Sequence, residues 1–247
     1  MTIDAPAAHH LPQLKRLWQE AFGDSDAFTE LFFAKGFSPL RCLTATEGEQ
    51  VLGALYWFDY EPGLAYIYGV GVLAAARGKG VGVALMQSVH DHLQKSGYRG
   101  CILCPADAGL FGYYERLGYT ACAPVRTVKC RAGAPAKAEK LDACQYARLR
   151  QALLPQSSAV AGTAAVEFLA AYATLLAGEG FVACAVADGN TAYGELLGDV
   201  TAAPGIVSSM GCQEGVFRTA GGTKPFAMFL PLAQDAAPPS YLGIALD

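Results

Sequence analysis

The chain has 247 residues, of which 53% are hydrophobic and only 16% charged, with a formal net charge of -4. That length holds one large or two small domains with real cores, and the sparse charge predicts extensive burial, with room for a subunit interface in a homo-oligomer. The acidic balance argues against a general nucleic-acid binder and modestly favours an amine substrate. No apolar stretch reaches the ~20 residues that span a bilayer. Asp4, His9 and His10 stand where a signal peptide would carry its basic and apolar regions, so a cytoplasmic location with no membrane attachment is expected.

Residues 9–21 have helical spacing, with Leu11, Leu14, Leu17, Trp18 and Phe22 on one side. Asp24 or Ser25 can cap a second helix carrying Phe28, Leu31, Phe32 and Phe33. Arg41–Thr46 and Val51–Tyr60 read as a hairpin, and Ala65–Leu73 as a buried strand after Glu61-Pro62-Gly63. A glycine-rich loop then opens a helix that runs to Ser96 with Leu85, Val89 and Leu93 inward, and Gly97 stops it. Gly100–Cys104 is a short strand ended by Pro105, Leu110–Leu117 a short helix, and Thr120–Cys122 and Arg126–Cys130 two strands that can close the sheet.

Ala132–Lys140 is rich in Ala, Gly, Pro and Lys without an apolar face, and is expected to be a linker. Beyond it, 141–153 and 163–177 have helical patterns. Phe181–Ala187 and Thr191–Leu197 form a strand pair turned by Asp188-Gly189-Asn190. Further strands are expected at Val216–Thr219, Phe226–Leu230 and Leu242–Leu246. The division is therefore 1–131, a linker at 132–140, and 141–247. The eight cysteines sit in apolar segments. Cys101-x-x-Cys104 has no second pair to complete a metal site, so reduced thiols and no metal are expected.

The segment Arg77-Gly78-Lys79-Gly80-Val81-Gly82-Val83-Ala84 carries the most chemistry. A glycine turn entering a helix leaves amide hydrogens bare, with the positive end of the helix dipole behind them, and such a place holds phosphate. Arg77 and Lys79 add charge. A Rossmann-like string, Gly69-x-Gly71-x-x-Ala74 with Asp91 downstream, fails because its helix would run through Gly78, Gly80 and Gly82, each costing ~1 kcal/mol. No Gly-Lys-Ser/Thr completes a Walker loop. A plain glycine crossover would leave the two basic residues and the later Tyr114 segment as coincidence.

Arg77-x-x-Gly80-x-Gly82 resembles the R/Q-x-x-G-x-G/A signature of the GCN5-related N-acetyltransferases, the GNAT superfamily. Phe111-Gly112-Tyr113-Tyr114-Glu115-Arg116-Leu117-Gly118-Tyr119 is similar to a second family segment, in the right order and at the right interval. The resemblance covers roughly the first half. It implies a mixed α/β sheet, splayed at its centre and flanked by helices. The second half, with two helices and a hairpin, looks like a smaller, degenerate GNAT-like α/β domain without a cofactor loop of its own.

By the same resemblance the cosubstrate is acetyl-CoA, and an acetyl group passes to a primary amine by direct attack in a ternary complex. The amides of Gly78, Lys79, Gly80, Val81, Gly82 and Val83 would hold the pyrophosphate beside Arg77. The main chain of Val70, Gly71 and Val72 would pair with the pantetheine arm. Tyr114 aligns with the family's general acid; its alternative is a packing role against the sheet. Tyr113 points ~100° away around a helix and is the weaker candidate. Glu61 and Asp59 are base candidates, with solvation at a hairpin end as the plainer reading. In some tandem relatives a C-terminal carboxylate reaches the site, which brings in Asp247. His90 and His92 read as surface residues. A non-catalytic acyl-CoA-binding sensor or protein-interaction module is the alternative function.

Overall fold

In the computed structural model, which describes residues 1–246, the chain builds one unit from Met1–Thr120, leaves it, and returns to it with Phe229–Ala237. The second unit is Ala121–Met228 together with the chain from Pro238 onward. The division thus falls at Thr120 rather than 131, and the first sheet takes its last place from a segment late in the sequence.

In the first unit a short strand β1 (Thr2–Asp4) precedes helices α1 (Leu11–Phe22) and α2 (Asp26–Lys35). Leu14, Leu17 and Trp18 form the buried stripe of α1, and Gly23 ends it in a left-handed turn. Ser25, not Asp24, caps α2: its hydroxyl accepts the Phe28 N–H at 3.2 Å. Asp24 instead accepts the Trp18 indole N–H at 2.8 Å. Strands β2 (Cys42–Glu47), β3 (Gln50–Glu61) and β4 (Leu64–Val72) form an antiparallel meander. Helix α3 (Val81–Lys95) crosses to β5 (Gly100–Leu103), parallel to β4, and α4 (Phe111–Glu115) follows. The strand order is β1-β2-β3-β4-β5, continued by the end of β12 (Glu214–Pro231). Leu85, Val89 and Leu93 of α3 are buried, as the sequence spacing predicts, and Met86 is buried with them.

The second unit contains β6 (Thr120–Arg131), β7 (Ala138–Lys140), α5 (Ala143–Leu153), β8 (Val160–Ala161) and α6 (Thr163–Ala170). It continues with β9 (Thr174–Gly178), β10 (Phe181–Asp188), β11 (Thr191–Gly198), α7 (Ala203–Ser209) and most of β12. Strands β9, β10 and β11 are antiparallel, and β11 runs parallel to β12. Two helices, three antiparallel strands, a helix and a parallel strand repeat the order of the first unit.

Several expectations change here. The segment 132–140 is not a plain linker, because Ala138–Lys140 pairs with β9. The helix expected over 163–177 stops at Ala170, and Thr174–Gly178 becomes a strand between β7 and β10, where long-range pairing outweighs the local pattern. The two strands expected after Thr120 are one, which pairs with β12. Val216–Thr219 and Phe226–Leu230 are also one strand. It runs through Gly221 at φ +85° and Gly222, where an added Cβ would collide with the Val125 carbonyl. Leu242–Leu246 is buried but joins no sheet.

Gly69 is the position on which the first sheet's shape turns. It has φ +67°, and an added Cβ would sit 2.8 Å from the Trp18 ring and 3.2 Å from the Tyr56 ring. Gly69→Ala is expected to lower unfolding stability by about 2 kcal/mol, from left-handed strain and the displaced indole. Urea denaturation measures it, and an unchanged midpoint would mean that the strand relaxes without cost.

Candidate functional site

Between Tyr56↔Tyr68 and Ala54↔Gly71 the β3–β4 register slips, so β4 carries one more residue than its partner. Such a bulge with a left-handed glycine bends the strand and sharpens its twist. On the other side, β4 pairs with β5 only at Leu64↔Gly100, Ala65↔Cys101 and Tyr66↔Ile102. Ile67–Val72 then run on without a parallel neighbour. The sheet is splayed at its centre, and the main chain of Val70, Gly71 and Val72 lies on the open part. Burial follows the same division: Leu64–Ile67 are buried, whereas Tyr68, Gly69 and Val70 are half-buried.

After β4 a single 3-10 turn, Ala74–Ala76, is anchored by Glu20, whose carboxylate accepts the Ala74 N–H at 2.7 Å. Gly78 and Gly80 then take φ +75° and +81°, with open space where each Cβ would be. Gly80 is the N-cap of α3 and offers no side-chain acceptor to the helix. Ala84 N–H bonds the Gly80 carbonyl at 3.0 Å. Among the described residues, the amides of Gly78, Lys79, Gly80, Val81, Gly82 and Val83 have no acceptor within the protein. Six consecutive bare donors at a 15-residue helix's positive end form an anion site. Arg77 steadies the loop, since its Nε donates to the Val72 carbonyl at 3.1 Å, and Lys79 is exposed beside it.

Helix α4 carries two tyrosines, of which Tyr113 reaches this place. The Tyr113 hydroxyl lies 3.4 Å from where a Gly82 Cβ would stand. This residue, set second on helical angle, therefore sits at the loop; the angle around α4 did not reveal how the helix lies over α3. The Tyr114 ring packs edge-on against Tyr119 at 5.7 Å between centroids and against Tyr113 at 5.1 Å. Its hydroxyl makes no hydrogen bond among the described residues. Burial, then the neighbouring Tyr113, pushes the Tyr114 pKa up to about 12, which keeps the phenol protonated. Tyr119 anchors the helix: its hydroxyl lies 2.9 Å from His90 Nε2. His90 is accordingly half-buried in this packing rather than a surface residue, whereas His92 is exposed.

The acidic candidates do not join the site. Glu61 follows Tyr60↔Leu64 at the far end of the hairpin, six residues of strand from Val70, or roughly 20 Å. It is exposed there. Asp59 is occupied by Arg41 at 3.1 Å and by the Tyr98 hydroxyl. Asp247 lies outside the described residues. No helix among the described residues is long and apolar enough to cross a membrane. His9, His10 and Glu49 do bring three ligand atoms within 4.8 Å of one another on the surface, a grouping that the separation in sequence conceals.

Residues 2–122 match the family model described as acetyltransferase (GNAT) domain. In fold the chain is similar to a GCN5-related N-acetyltransferase from Kribbella flavida, at 18% identity and TM-score 0.70 over 94% of this chain and 72% of that one. It is also similar to a GCN5-related N-acetyltransferase from Anabaena variabilis, at 14% identity and TM-score 0.69 over 94% and 72%. No curated protein matches the chain.

The His90 environment generates a pH prediction. Burial lowers its pKa from the ordinary 6.5 to about 4, against a smaller opposing effect of Asp91. Between these values the unfolded chain binds a proton that the folded one refuses, so stability is full above 6.5 and falls as pH drops toward 4. His90→Gln is expected to flatten this part of the profile. Urea midpoints at pH 7 and pH 4.5 check it, and an equal pH loss in both proteins would contradict it.

Proposed function

Residues 2–122 belong to the GNAT acetyltransferase domain family, and from that premise we propose that the chain transfers an acetyl group from acetyl-CoA to a primary amine. The observation that carries this reading is the run of six bare amides, Gly78–Val83, adjoining the open edge of β4. In this reading the amides, with Lys79, hold the pyrophosphate of the cosubstrate. The positive φ of Gly78 and Gly80 favours glycine, which has no side chain to stand in the ligand's way. The Val70–Val72 edge that faces away from β3 hydrogen-bonds the amides of the pantetheine arm, as a further strand would, although Gly71 is paired with Ala54 and the Val72 carbonyl already accepts Arg77 Nε.

The amine nitrogen attacks the thioester carbon directly. A backbone N–H near Val70 stabilises the oxyanion that forms. The C–S bond then breaks, and Tyr114 gives its proton to the departing sulfur. Burial keeps the phenol protonated but makes it a weak acid, so its help depends on close placement to the sulfur. Before it attacks, the substrate ammonium loses one proton to water, and after attack the bonded nitrogen loses a second, which returns through water to the Tyr114 phenolate; Asp59 is already paired and Glu61 is remote.

Two substitutions test this. Gly82→Asp places a carboxylate among the bare amides and beneath the Tyr113 hydroxyl. It should weaken CoA binding by more than about tenfold, or ~1.4 kcal/mol, in a folded protein; unchanged affinity by calorimetry would remove the loop from the site. Tyr114→Phe should lower kcat by about a hundredfold with little change in CoA affinity. Full turnover in that variant, followed by thiol release across a panel of amines, would remove Tyr114 from the mechanism. CoA binding without thiol release from any amine would instead favour the sensor reading.

A further inference from the structure

The second unit contains a cavity of about 430 Å³, within the size range of small-molecule sites. Its walls are apolar for the most part: Leu169 at the end of α6, Val186 on β10 and Ile244 from the C-terminal run. Arg218 of β12 also lines it and is half-buried.

Charge around Arg218 does not balance. The buried acid beside it, Glu195, is its register partner on β11. That carboxylate is taken by Arg150, through Nε at 2.7 Å and Nη2 at 2.9 Å, and by the Tyr146 hydroxyl at 3.1 Å. Arg218 has no carboxylate within 4 Å among the described residues. Its Nε donates to the Gly243 carbonyl at 3.0 Å, and its guanidinium lies over the Phe226 ring at 4.6 Å. Among the described residues these contacts orient the group without neutralising it, and no acceptor is shown for its remaining N–H groups.

We propose that this cavity binds an apolar monocarboxylate, with its carboxylate on Arg218 and its hydrocarbon body along Leu169, Val186 and Ile244. A guanidinium fork fits a carboxylate with two parallel hydrogen bonds. The apolar walls suit an aliphatic or aromatic body. Asp188 also lines the cavity, four residues along β10 from Cys184, so a second anionic group on the ligand would meet a like charge. The site lies wholly in the second unit and does not rest on the acetyltransferase reading.

Octanoate is the probe, titrated calorimetrically into the full chain, with octan-1-ol as the uncharged control. Saturable binding at one site, at least about tenfold tighter than the alcohol, is expected. Arg218→Gln should remove that advantage. Val186→Trp, at a half-buried wall position, should block both ligands by filling the chamber, and it decides the matter if the arginine variant does not fold. Both folded variants should keep the CoA affinity of the first unit. No octanoate binding, equal binding of acid and alcohol, or undiminished octanoate binding in a folded Arg218→Gln protein would each overturn the proposal.

Discussion

A left-handed glycine in the middle of a buried strand controls the first unit. Gly69 at φ +67° puts an extra residue into β4 and breaks its register with β3. The Trp18 ring fills the space that any side chain there would need. Past this point β4 has no parallel neighbour, so one of its two edges is open in a place where a sheet would normally consume it, while the other stays paired with β3. The beginning of α3 adjoins the same stretch: a Cβ at Gly53 would meet the Gly71 carbonyl at 3.0 Å and the Val81 side chain at 3.1 Å. One backbone irregularity thus sets an open strand edge beside a row of bare helix donors.

The two units share an order of elements and differ where an anion would bind. Before α3 the chain supplies Gly78 and Gly80 and no acceptor. Before α7 it supplies Asp199, whose carboxylate already accepts the Thr201 N–H at 2.9 Å. Pro204 then takes the second position of α7 and has no N–H to give. A negative charge and an occupied amide stand where the first unit offers free donors.

Local chemistry made the glycine loop, its helix and the buried stripe of α3 legible in the sequence. These depend on a few adjacent residues: Gly80 before α3, Gly97 after it, and the spacing of Leu85, Val89 and Leu93. What escaped was decided by partners far along the chain. Thr174–Gly178 continues an apolar helical pattern, yet pairing with Ala138–Lys140 and Phe181–Ala185 makes it a strand. The return of Phe229–Ala237 to the first unit has no local signal at all. At the site, motif position brought Tyr114 forward, but the nearness of Tyr113 to Gly82 and the contact of His90 with Tyr119 depend on how α4 lies across α3. Glu61 failed for a related reason: next to the right strand in sequence, it stands at the wrong end of it.

The central proposition is that the amides from Gly78 to Val83 are the donors that receive the cosubstrate's phosphates. Backbone ¹H–¹⁵N spectra of the protein titrated with CoA test this most directly. The amide protons of these residues should move downfield together and saturate with the affinity measured by calorimetry. Saturable CoA binding that leaves all six resonances in place would contradict the account.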